Sequence, residues 1–164
     1  MSYLEVKVEK ILNECDKHLL RINSAYQRMS SFIPLNKQGY LSITEQNITD
    51  IDQFLYRFGK LLDAVGEKLF PAVLMFLREE KIRSKSFIDI LNRLEQLEIL
   101  DNKENWFELR KIRNDLSHDY ADNPAEMALA INYIYEKKDT LELIYLKVRS
   151  FYNKRKEGTK EKSL

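Results

Sequence analysis

Apolar residues recur every three or four positions along almost the whole chain, which is the spacing of one face of an α-helix. Leu4, Val8, Ile11, Cys15, Leu19, Ile22, Tyr26 and Met29 form one stripe and predict a long first helix. The stretch from Ser31 to Leu41 holds Pro34 and Gly39 and predicts the loop that ends it. Ser42 and Glu45 have the spacing of a capping box for a second helix, whose apolar seam runs through Ile48, Ile51, Leu55, Phe58, Leu62, Val65 and Leu69. Pro71 is expected to kink or break that helix, because it donates no backbone hydrogen bond and its ring crowds the preceding turn.

Charged residues from Arg78 to Lys85 make a short connection, after which Ser86 and Asp89 suit the start of a third helix carrying Phe87, Ile90, Leu91, Leu94 and Leu97. Asp101 or Asn102 can start a fourth, with Trp106, Leu109, Ile112 and Leu116 facing inward. Asn123 followed by Pro124 is a strong start for a fifth, whose apolar positions continue from Met127 through Ile131, Ile134, Leu141, Tyr145 and Val148 to Tyr152. The pattern predicts an all-α, up-and-down bundle of four main helices plus a shorter one.

A chain of 164 residues fits one domain, read here as residues 1–156 with a basic, flexible tail at 157–164. Four glycines and three prolines are too few for a turn-rich β-sandwich or barrel. The single cysteine excludes an internal disulfide framework, and as part of the first apolar stripe Cys15 reads as a small buried hydrophobe. The longest uncharged apolar run, Leu69 to Leu77, has nine residues, about half of a membrane span. Charges in MSYLEVKVEK occupy the place of a signal peptide's apolar region, so a soluble cytoplasmic protein with no membrane partner is expected. Charge is balanced overall, yet from Lys147 onward there are seven basic and two acidic residues. Such a tail either attracts nucleic acid or an acidic partner, or is a solvated, frayed end.

Several chemistries are excluded by what the chain lacks. Glycines standing singly at 39, 59, 66 and 158 cannot build a phosphate loop. One cysteine and two histidines, His18 and His118, cannot complete a zinc site of nitrogen and sulfur ligands within one chain, and no metal or cofactor is expected. Neither histidine stands at a recognisable spacing from a serine or cysteine nucleophile. His18 reads as a partly exposed packing residue, and Arg57 and Asp63 on the second helix either reach a cleft or pair with each other on the surface.

The candidate chemistry lies between Arg110 and Tyr120, where Arg110, Arg113, Asn114, His118 and Tyr120 gather as an apolar helix face runs out. Asn114 and His118 share a face of an ideal helix, whereas Arg113 and His118 stand about 140° apart. The latter two converge only if the helix ends near His118 or if a second subunit completes the site. His118 can equally cap the helix end, favoured there by the dipole, with Tyr120 anchoring the loop.

Arg113, His118 and Tyr120 have the form R-x4-H-x-Y, which resembles the signature of the HEPN superfamily, in particular HepT-like toxins encoded beside minimal nucleotidyltransferases. Residues 56–63, YRFGKLLD, also resemble members of that family, and the resemblance extends roughly from Ile48 to Val148. It implies a metal-independent endoribonuclease, active as a homodimer whose two motifs face each other across a cleft. In that scheme His118 is the general base or acid, Arg113 the phosphate clamp, and Asn114 and Tyr120 supports, with Arg110 available to RNA. The resemblance further implies a minimal nucleotidyltransferase antitoxin that inactivates the toxin by transferring AMP to Tyr120. The alternative it offers is a noncatalytic, nucleotide-binding subunit or antitoxin-like partner of such a nucleotidyltransferase.

Overall fold

The computed structural model describes residues 1–78, 82–117 and 123–162, and among them there are helices and turns but no strand. In chain order the α-helices are α1 (Tyr3–Met29), α2 (Lys37–Leu41), α3 (Glu45–Asp63), α4 (Phe70–Phe76), α5 (Phe87–Gln96), α6 (Lys103–Ser117), α7 (Pro124–Glu136) and α8 (Lys138–Lys162). A π-helical turn, Ala64–Leu69, joins α3 to α4, and a 3-10 turn, Ile82–Ser84, precedes α5. The all-α bundle expected from the periodicity is therefore present.

The apolar stripes point inward as predicted, except that Ile48 in the first turn of α3 is exposed, and the side chain of Leu116 lies outside those described. Val8, Cys15, Ile22, Ala25 and Met29 of α1, Phe54, Phe58 and Leu61 of α3, and Tyr145, Val148 and Tyr152 of α8 are all buried in one core. Burial of each large side chain contributes about 1.5–3 kcal/mol. Polar pairs then fix the register. Arg28 binds the buried carboxylate of Asp50 at 2.7 Å across α1 and α3. Lys156 with Glu9 and Arg149 with Asp16 make a ladder between α8 and α1 that runs antiparallel. Asn132 of α7 exchanges two 2.7 Å hydrogen bonds with the backbone of Leu35 and pins the loop after α1.

Four local expectations change. The segment 31–41 contains α2, capped by Asn36, whose side chain accepts from Gly39 N at 2.7 Å. With that helix in place Ser42 belongs to its end, where Oγ donates to the Gln38 carbonyl, and Thr44 caps α3 by accepting from Asn47 N. Pro71 does not end the helical run. The turn ahead of it widens, so that Phe70 N donates to Val65 O, five residues back, and Pro71 sits in the first turn of α4 where its missing N–H has no helical partner to lose. The predicted fifth helix is two, divided at Lys137, because α7 docks on α2 and α6 while α8 turns to run along α1. The last helix, α8, continues through residues 157–162 of the basic tail. No helix among the described residues is long and apolar enough to cross a membrane.

The π turn carries Gly66 against the fully buried indole of Trp106 on α6, where an added Cβ falls 2.8 Å from Trp106 Cζ2. Gly66→Ala is expected to lower stability in urea unfolding by about 1–3 kcal/mol, because neither the packed ring nor the helix can yield without strain. Gly158→Ala in α8, where an added Cβ meets nothing within 4 Å, is expected to be neutral or to stabilise by up to about 1 kcal/mol. Equal effects at the two positions would contradict this packing.

Candidate functional site

Arg110, Arg113 and Asn114 lie on consecutive turns of α6, which crosses α3 in the antiparallel sense. Arg113 is the best fixed of them. Its Nη1 and Nη2 donate to the two carboxylate oxygens of Asp63, the last residue of α3, at 2.8 Å each. Its side chain lies across Gly59, one turn earlier, whose ideal Cβ would stand 3.6 Å from Arg113 Nε. A bidentate carboxylate on one side and a bare backbone on the other leave the guanidinium little rotational freedom.

A cleft of about 270 Å³ opens beside this pair. Leu62, Asp63, Gly66 and Glu67 form one wall, Trp106, Arg110, Arg113 and Asn114 the other, and Phe87 of α5 the edge. The Arg110 guanidinium sits over the Phe87 ring, 4.7 Å from its centroid, an arrangement that keeps at the cleft a cation with no carboxylate partner among the described residues. Asp63 engages two N–H groups of Arg113, and a guanidinium has five, so the same side chain can hold Asp63 and still grip another oxyanion. The indole nitrogen of Trp106 has no hydrogen-bond partner among the described residues.

The structure thus brings together Arg110, Arg113 and Asn114 of the residues that the sequence singles out. His118 and Tyr120 lie outside the described residues, as does Asp119. It adds Phe87, Trp106 and Glu67, which sequence reasoning did not connect with the site. Asp63 reaches the cleft rather than pairing with Arg57, which turns instead to α1.

There Arg57 Nη1 donates to His18 Nδ1 at 3.0 Å, so His18 is buried and holds a cation, where a partly exposed packing role was expected. Its Nε2 stands 3.7 Å from Glu14, which also pairs with Lys68. Burial first, and the Arg57 charge second, hold the imidazole below its usual pKa. Cys15 is buried as predicted, and desolvation pushes its thiol up to about 12, far from the reactive thiolate range.

His18 is therefore neutral in the fold, while the unfolded chain takes up a proton near pH 6.5. Its contribution to stability is fully present above that pH and declines as pH falls toward the lowered folded value. Relative to His18→Gln, the wild-type chain is expected to lose stability in urea unfolding between about pH 7.5 and pH 5.5. A difference that is constant or grows over that range would contradict the burial of a neutral imidazole against Arg57. Comparison with models of known protein families, with functionally characterised proteins and with solved structures finds no match for this chain.

Proposed function

We propose that this chain is a metal-independent endoribonuclease of the HEPN type, acting in the cytoplasm as a homodimer and controlled by a nucleotidyltransferase partner. The observation that carries the reading is the Arg113 guanidinium, clamped by Asp63 at the rim of a cleft and five residues ahead of His118 in the sequence. Cleavage of RNA by its own 2′-hydroxyl needs a proton removed from that oxygen, a proton delivered to the leaving oxygen, and stabilisation of a doubly charged phosphorane.

In this reading Arg113 supplies the last of these. Its planar fork holds the phosphate oxygens, and Asp63 sets the plane of the fork. His118 exchanges the protons, since an imidazole titrates near neutral pH, and the second imidazole comes from the other subunit. Asn114 orients substrate or imidazole, and Arg110 adds charge toward the RNA backbone. AMP placed on Tyr120 by the partner puts negative charge and bulk where a phosphate must approach Arg113, which shuts the site by repulsion and occlusion.

The test is incubation of the purified chain with RNA in EDTA. Cleavage is expected to persist there and to fall by about 100-fold or more in His118→Ala, as for loss of a general acid or base. Cleavage unchanged in that variant would overturn the mechanism, and nucleotide binding with no cleavage would select the noncatalytic subunit instead.

A further inference from the structure

The outer face of α3 holds an arrangement that the cleavage scheme does not use. Tyr56 is 59 % exposed in the middle of a helix, with two cations at its ring: the Lys60 ammonium at 5.5 Å from the centroid and the Arg57 guanidinium at 5.6 Å. Neither cation pairs with a carboxylate among the described residues. Arg57 is held by the imidazole of His18, an acceptor without charge, so it is positioned and keeps its full positive field. Glu14, 3.7 Å from the far nitrogen of that imidazole, is paired with Lys68.

Helix geometry ties this patch to the cleft. Tyr56 and Asp63 are seven residues apart, which places them within about 20° on one face and about 10.5 Å apart along the axis. Gly59 lies between them and carries the Arg113 side chain. An exposed aromatic ring, the Lys60 ammonium and the Asp63-held guanidinium therefore follow one another along a single helix face, with Arg57 beside the ring on the flank toward α1. The span suits roughly three stacked nucleotides at about 3.4 Å each, or fewer when extended.

We propose that Tyr56 is a base-stacking subsite for single-stranded RNA, flanked by Arg57 and Lys60 on the backbone phosphates, that leads the strand to Arg113. The inference takes RNA as the ligand from the reading above and adds where the strand lies. A ring face accepts any base and a cation accepts any phosphate, so this subsite selects unpaired strand and does not read sequence. In a duplex the bases are already stacked and the ring has nothing to receive.

The test is equilibrium binding, by fluorescence anisotropy, of a labelled oligouridylate about twelve nucleotides long to the full chain. Its 2′ oxygens are methylated, so it cannot be cut. Tyr56→Ala is expected to weaken binding about tenfold, Tyr56→Phe to stay within about twofold of wild type, and an abasic strand to bind all three chains alike. Lys60→Ala should reduce the slope of log affinity against log salt by about one contact's worth, roughly 0.7. Equal binding by wild type and Tyr56→Ala, an equal Tyr56→Ala loss on the abasic strand, or no binding by wild type would each overturn the subsite. Cleavage of the unmethylated strand is followed alongside. Tyr56-dependent binding without cleavage keeps the subsite and removes the nuclease, whereas cleavage with Tyr56-independent binding does the reverse.

Discussion

How closely α6 can approach the run from α3 to α4 is decided by one missing side chain, that of Gly66. Gly59 receives Arg113 and Gly66 receives Trp106, and since both pairs are seven residues apart on antiparallel helices, they meet two turns apart along one seam. A Cβ at 66 would overlap the indole, while one at 59 would stand in ordinary contact with the arginine side chain. Between the two contacts stands Asp63, which grips Arg113 with both oxygens. The position of the arginine is thus set by backbone packing on one side and by a charge-assisted fork on the other. The cleft is the space this seam leaves beside Arg110 and Phe87.

The π turn makes the seam possible. An ordinary α-helical continuation from α3 into Pro71 would drive the proline ring into the preceding turn. Widening the turn at Ala64–Leu69 relieves that crowding, redirects Phe70 N to Val65 O and brings Gly66 to the Trp106 ring. An insertion of this kind costs helix geometry, and here tertiary burial of Trp106, Phe70 and Leu69 offsets it. The clamp on Arg113 therefore depends on a distortion that begins at the next residue after Asp63.

Much of this was open to reading along the chain. The stripes of α1, α3, α5 and α6 are written in their apolar spacing, and Ser86 and Asn123 begin helices where their side chains predict it. The break at Lys137 was not legible, because no proline or glycine marks it and the apolar period runs on through it. What divides α7 from α8 is their docking to different partners, a tertiary cause. Arg110, Arg113 and Asn114 stood out because their chemistry is local. Asp63 is fifty residues from its arginine, and nothing in either segment alone pairs them. Gly59 and Gly66 did carry a signal: an isolated glycine inside a helical pattern costs about 1 kcal/mol and so points to a close contact.

In the proposed ribonuclease reading, Asp63 serves cleavage solely by fixing the guanidinium of Arg113. A double-mutant cycle on kcat/KM for RNA cleavage measures this directly, with Asp63→Ala made once in the wild-type chain and once in Arg113→Lys, which keeps the charge but loses the fork. The account predicts that Asp63→Ala lowers kcat/KM in the wild-type chain and adds little in the Arg113→Lys background. The same loss in both backgrounds, or no loss in either, would contradict it.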